Sequence, residues 1–306
     1  MSATRHRLPD GRWHFQHGPM DIVIGADPLG PDGEAAVALA HEQAWTRFEP
    51  LLAELMAEWP VLRLPVKAGA PCPLQGGVAR RMWQACAPWV DQTYITPMAA
   101  VAGSVAQELL ACYDRAGVAR AWVNNGGDIA LHLAPGQSVR VGLYADLARL
   151  QVHELMQGLN LDGAFEVTQP MPVRGVATSG WRGRSFSLGI ADSVTVLAAT
   201  AAQADAAASI IANAVNVAHP GIVRQPANSL RDMTDLGDLE VTVDVPSLPV
   251  ECIQQALEAG WQRARECQSQ GLIAAAALVC QGQTRLLPLI AATEPLSFEE
   301  NPLALA

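Results

Sequence analysis

The stretch from Arg174 to Val217 constrains this chain more than any other. Between Ser185 and Val223 the only ionised side chains are Asp192 and Asp205, set among Ala, Val, Ile and Leu with no Lys or Arg. A carboxylate in apolar surroundings costs several kcal/mol unless it is paired, hydrogen-bonded or bound to a cation, so both acids require a partner. The spacing predicts a strand over 191–198 and a helix over 201–217. On that helix Asp205, Ser209, Asn213 and Asn216 share one face. Two readings stay open: a polar stripe in water, or a face pressed against a ligand or cation. The stripe lacks Lys, Glu and Arg, which is unusual for a wet face.

At 306 residues the chain is long enough for a sizeable core. No Ser/Gly-rich or charge-run linker divides it, so the expectation is one compact domain over 1–290 and a tail over 291–306. The net charge of −10 and the lack of a basic stripe argue against nucleic acid and against an anionic membrane surface as partners. No apolar run reaches the roughly 18 residues of a membrane span, and the N-terminal residues have no apolar leader core, so a cytoplasmic location is expected. Six cysteines without CxxC spacing read as reduced core thiols.

In chain order, residues 11–27 alternate around Gly18-Pro19 as a hairpin. Helical spacing follows over 33–59, with Trp45, Phe48, Leu52 and Leu55 as the buried stripe, Pro50 kinking or splitting it and Pro60 stopping it. A Pro/Gly-rich loop leads to a helix over 78–90. Its Arg80 and Arg81 form either a solvated face or a steering patch for an anion. Thr96 before Pro97 is a good helix cap, opening a small-residue helix to about Arg115.

A buried strand over 119–123 then enters Asn124-Asn125-Gly126-Gly127-Asp128, with a second strand over 129–133. The glycine pair is either a tight turn or a loop whose N–H groups approach a phosphate or ring carbonyl. Strands over 138–144 and 165–174 flank a helix over 147–159 bearing His153, read as a surface or packed residue. The strand at Val176 runs into a loop, Thr178-Ser179-Gly180, that reads either as a polar hairpin or as a donor of hydrogen bonds to an anion, which Arg184 could neutralise. A strand over 239–245, a helix over 250–268 and a closing strand over 272–279 complete an α+β mixed sheet-and-helix sandwich.

Three segments together, TPMAAVAGSVAQELL, VNNGGDIAL and ATSGWRGRSFSLGIADSVTVLAATAAQADAAASIIANAV, resemble the ApbE-like superfamily, best known for FAD:protein FMN transferases. The resemblance covers roughly residues 15–285 and looks closest to an uncharacterised cytoplasmic branch. It implies a Mg²⁺ site in which Asp205 and Ser209 match the family's Asp and Thr, with a backbone carbonyl from about Val101. It further implies cofactor contacts from Asn125, Gly126, Gly127, Thr178, Ser179 and Gly180. Mg²⁺ prefers hard oxygen ligands and leaves positions for phosphate, which agrees with that set. Asp192 is the first candidate for a general base, with Arg184 offsetting phosphate charge.

Departures stand beside these matches. Ala102 replaces a family Lys, Thr96 replaces an Asp, and Phe186–Asp192 occupies the place of HIIDPxTG. They point away from classical FMN transfer. The expectation is a small-molecule heterocyclic ligand, FAD, FMN or a pterin, handled by Mg²⁺-assisted transfer or hydrolysis. The alternative is a non-transferase protein of cofactor biosynthesis or delivery in tetrahydromethanopterin one-carbon metabolism. A homodimer is compatible with either.

Overall fold

The computed structural model describes residues 2–143 and 163–289. In chain order the elements are β1 (Thr4–Arg7), β2 (Trp13–His17), β3 (Met20–Pro28), α1 (Gly33–Ala57), α2 (Trp59–Leu62), α3 (Gly77–Cys86), α4 (Val101–Leu110), β4 (Val118–Asn125), β5 (Asp128–Leu133) and β6 (Ser138–Leu143). There follow β7 (Gly163–Thr168), β8 (Gly175–Ser179), β9 (Ser193–Ala198), α5 (Ala201–Ala214), β10 (Val223–Pro226), α6 (Ala227–Leu230), β11 (Glu240–Asp244), α7 (Val250–Ser269), β12 (Ala275–Cys280) and β13 (Gln283–Leu287). Mixed helix and sheet is therefore the observed class. The expected helix with His153, and the tail over 291–306, lie outside the described residues.

These elements group into two compact units interleaved along the chain. The first comprises residues 1–139, 168–177 and 198–206. Its sheet runs β1-β2-β3-β4-β5 by successive antiparallel pairing, and the start of β8 adds to β5 through Ile129↔Val176 and Ala130↔Gly175. Alternation puts Phe15, Ile22, Ile24, Val123 and Ala130 on one face, all buried. The stripe Ala40, Ala44, Phe48, Leu51 and Leu55 of α1 and Val105, Ala106 and Leu109 of α4 pack into the same core. Burying each large side chain stabilises by about 1.5–3 kcal/mol, which holds the helices on the sheet.

Several boundaries differ from the sequence reading. The first helix continues through Pro50 to Ala57, because buried Phe48, Leu51 and Leu55 on either side of the proline anchor both halves. Leu51 takes the fully buried place assigned to Leu52, which with Trp45 packs at the margin. Trp59 and Pro60 open the short α2, and α3 gives way after Cys86 to a 3-10 turn at Ala87–Trp89. Thr96 is buried and makes no side-chain cap. Pro97–Ala100 form a 3-10 turn, so the α-helix starts only at Val101.

The second unit comprises residues 140–167, 178–197 and 207–306. Here β12 lies between β9 and β13, antiparallel to both, and β10 pairs with β11. Every residue of β9 is buried, the hydroxyl residues Ser193 and Thr195 among them. Strand β7 ends at Thr168, short of the expected 174; in the first unit Arg174 donates to the carbonyls of Gln169, Met171 and Val173.

Candidate functional site

The late start of α4 sets up the chemistry around Asp205. The first N–H groups of an α-helix have no intrahelical acceptor and carry the positive end of its dipole. In α4 the Val101 N–H is met by the Met98 carbonyl. Gly103 donates to Oδ2 of Asp205 at 2.8 Å, and the Ala102 N–H also acts on that carboxylate. Only glycine fits at 103: a Cβ there would stand 2.3 Å from the Ala201 carbonyl oxygen and 2.9 Å from the Asp205 Cβ. The run of small residues thus brings the end of one helix against the side of another.

Asp205 faces inward and is half-buried. Two backbone donors would ordinarily lower a carboxyl pKa. Here the pKa is raised well above the usual carboxylate range, first by burial and then by the neighbouring Asp128 carboxylate. Among the described residues Asp205 has no ion-pair partner. Asp128 opens β5 and is itself buried. It stands opposite Asn125 across the turn.

That turn is Asn125-Gly126-Gly127-Asp128, with φ of 68° and 112° at the two glycines. Left-handed values at both central positions are what tight hairpins demand and other residues resist. The turn reading of the glycine pair therefore accounts for its conformation. Asn124 Oδ1 accepts the Gly127 N–H at 2.8 Å, and buried Asn125 donates to the Ala102 carbonyl at 3.2 Å. Asn125 thereby ties the hairpin to the first turn of α4. Ser209 lies one turn beyond Asp205 on α5.

The second unit accounts for the other candidates differently. Thr178 and Ser179 are the last residues of β8 and not a loop, and the Thr178 hydroxyl is 2.9 Å from that of Thr195. Gly180 is buried against the Asp192 backbone, whose carbonyl oxygen a Cβ would approach to 2.3 Å. Asp192 precedes β9 and is buried. Its Oδ2 accepts the backbone N–H of Gln281, and its Oδ1 the Trp181 indole N–H at 3.4 Å. Gln281 has a left-handed φ of 45°. The carboxylate thus fixes the β12–β13 turn. Arg184 is exposed on the segment after Gly180.

The polar stripe of α5 also divides. Asn213 Oδ1 accepts from the Leu188 N–H at 2.9 Å and the Ser187 hydroxyl at 3.1 Å. The helix ends at Ala214, so Asn216 lies beyond it, donating to the Leu188 carbonyl and accepting from Arg224. These asparagines fasten the 187–189 segment, so the stripe is neither wholly wet nor wholly a ligand face. Asp128 is the residue that spacing misses, because its proximity to Asp205 is set by tertiary packing. Its one signal is its place directly after the glycine pair.

Two hollows on the described surface lie elsewhere, one beside Glu42, Gln43, Thr46 and Arg47, the other beside Gln254, Glu258 and Arg285. Among the described residues no group of three or more His, Cys, Asp or Glu side chains could hold a metal. No helix among them is long and apolar enough to cross a membrane. None of the six cysteines is in a disulfide.

A family profile described as "AbpE bacteria" matches residues 5–286. UPF0280 proteins align with the chain at moderate identity. That of Methanosarcina barkeri is 36% identical over 67% of this chain and 72% of its own length. That of Methanopyrus kandleri is 36% identical over 69% and 77%. Against the UPF0280 proteins of Methanospirillum hungatei and Methanothermobacter thermautotrophicus, the chain spans about half of their length or less, 47% and 43%. A crystal structure of the ApbE protein from Thermotoga maritima covers 92% of this chain and 96% of its own at 12% identity, with a TM-score of 0.38. With the family profile running from the first strand to the last, the chain belongs to the ApbE-like superfamily, in the group described as AbpE bacteria.

Proposed function

We propose that this chain binds a phosphorylated flavin- or pterin-type compound together with a divalent cation held at Asp205. One observation carries the reading: a half-buried carboxylate, repelled by Asp128 and without an ion-pair partner among the described residues, is left in a state that a cation would relieve. The donor set fits Mg²⁺, which takes one or two carboxylates from protein and leaves its other positions to water and phosphate. Asp205 and Asp128 would supply carboxylate oxygen, with Ser209 and the Val101 carbonyl as further oxygen donors. Such an ion polarises phosphoryl oxygens when bound. The chain's own part is to fix Asp205 through the Ala102 and Gly103 N–H groups and to hold the hairpin through Asn125. Thr178, Ser179 and Gly180 are proposed contacts to the cofactor, and Arg184 a counter-charge.

A second reading is favoured by Ala102. Where the transferases carry a Lys, this residue offers only backbone, and both backbone groups are engaged, the N–H toward Asp205 and the carbonyl with Asn125. Loss of that cation favours a binding or delivery protein over a transferase, and a pterin of one-carbon metabolism is the alternative ligand. Calorimetric titration with FAD, FMN and a pterin, with and without Mg²⁺, tests both. Binding that needs Mg²⁺ and disappears in Asp205→Ala supports the first reading. Metal-independent pterin binding supports the second, and absence of binding by all three compounds rejects both.

A further inference from the structure

We infer that Arg231, whose guanidinium lies over the Phe186 ring in the second unit, is a receptor for a phosphate or diphosphate group. Its guanidinium carbon stands 4.8 Å from the Phe186 ring centre, and one N–H donates to the Arg184 carbonyl at 3.3 Å. Arg231 is exposed and, among the described residues, has no carboxylate partner. A guanidinium has five donors in a planar fork that matches a phosphate, and contact with a ring face uses none of them. Stacking also removes much of the rotamer freedom that a surface arginine would lose on binding.

Both residues sit next to anchored backbone. The Phe186 side is fixed by Asn213 and Asn216, which grip Ser187 and Leu188 as described above. On the Arg231 side, α6 ends at Leu230, and Met233, exposed, is held in the left-handed region at φ 58°. Side chains other than glycine pay strain there, and such outliers gather at ligand clamps. Arg182, stacked 4.8 Å from the Trp181 ring centre, repeats the same arginine-on-aromatic device on the neighbouring turn.

The inference rests on the reading above only for the nature of the anion, and it concerns the second unit alone. Inorganic pyrophosphate is the probe, titrated calorimetrically into the full chain with EDTA present. The wild-type protein is expected to bind it, and Arg231→Gln to weaken binding by about tenfold or more, the loss of a charge-assisted contact. Arg231→Lys keeps the charge but not the fork and should fall between, while Phe186→Leu, which removes the platform, should weaken binding several-fold. EDTA removes the divalent cation on which the Asp205 proposal depends, so the failure of one proposal is distinguishable from the failure of the other. Equal affinity in wild type and Arg231→Gln, or no pyrophosphate binding by the wild type, overturns the inference.

Discussion

Asp192 and Asp205 belong to the same charge-poor stretch and meet opposite surroundings. Asp192, in the second unit, gives its two oxygens to the Trp181 indole and the Gln281 amide, and holds a turn whose backbone is otherwise strained. Asp205, in the first, receives the amides at the start of α4, yet burial and Asp128 still drive its pKa upward. An isolated acid in apolar sequence is therefore not one kind of signal. Where N–H groups from two loops converge on the carboxylate, the acid ties the backbone together. Where a second carboxylate stands beside it, the account is incomplete without a proton or a cation.

The largest expected effect that sharpens this contrast is at the helix contact. Gly103→Ala forces a Cβ against the Ala201 carbonyl and should destabilise by up to about 3 kcal/mol as an overpacking change. Urea unfolding measures it, and a change below about 0.5 kcal/mol would mean that the helices separate without cost. Next, Asp192→Ala leaves a part-buried amide and indole N–H without their acceptor and should cost about 1 kcal/mol in the same assay, with Mg²⁺ affinity unchanged. Full stability together with lost turnover would instead make Asp192 a general base.

The pH dependence of stability separates the two acids further. A carboxyl whose folded pKa is raised holds its proton more tightly folded than unfolded. Its contribution is fully present below the ordinary value of 3.8 and is lost as pH rises through the folded value. The metal-free wild type should therefore lose stability relative to Asp205→Asn as pH rises from 3.8, by at most about 1.4 kcal/mol per pH unit, until Asp205 is ionised. Asp10, Glu42, Glu108 and Glu258 have lowered pKa values and act in the opposite sense, losing stability as pH falls. The comparison must therefore be wild type against variant. A flat difference would show that Asp205 titrates normally. The smallest effect belongs to Ser209→Ala, which should lower Mg²⁺ affinity by about 1 kcal/mol, roughly fivefold, while Ser209→Thr retains it.

The class of fold was legible because the periodicities are long: β3, α1, α7 and the glycine hairpin follow from alternation, helical spacing and turn chemistry. β1, β10 and β13, short strands that the chain reading left out, carry too few residues for a pattern to stand out. The continuation of α1 through Pro50 was hidden for another reason, since packing of Phe48, Leu51 and Leu55 outweighs the local preference. At the candidate site, the isolation of Asp205 was visible in the sequence. Its neighbours were not, because Asp128 and the Gly103 amide reach it through the packing of α4 on β5 and α5. Asn213 and Asn216 show the limit of spacing: they continue the face of Asp205, yet they serve the 187–189 backbone.

The most direct test is a Mn²⁺ titration of the metal-free protein followed by electron paramagnetic resonance, with inorganic pyrophosphate present, in the wild type, Asp128→Asn and Asp205→Asn. The account predicts a bound ion in the wild type, weaker binding in Asp128→Asn, and loss of that ion in Asp205→Asn with the fold intact by circular dichroism. An Asp205→Asn protein that holds Mn²⁺ as tightly as the wild type would contradict it, leaving Asp205 as a cap for α4 and nothing more.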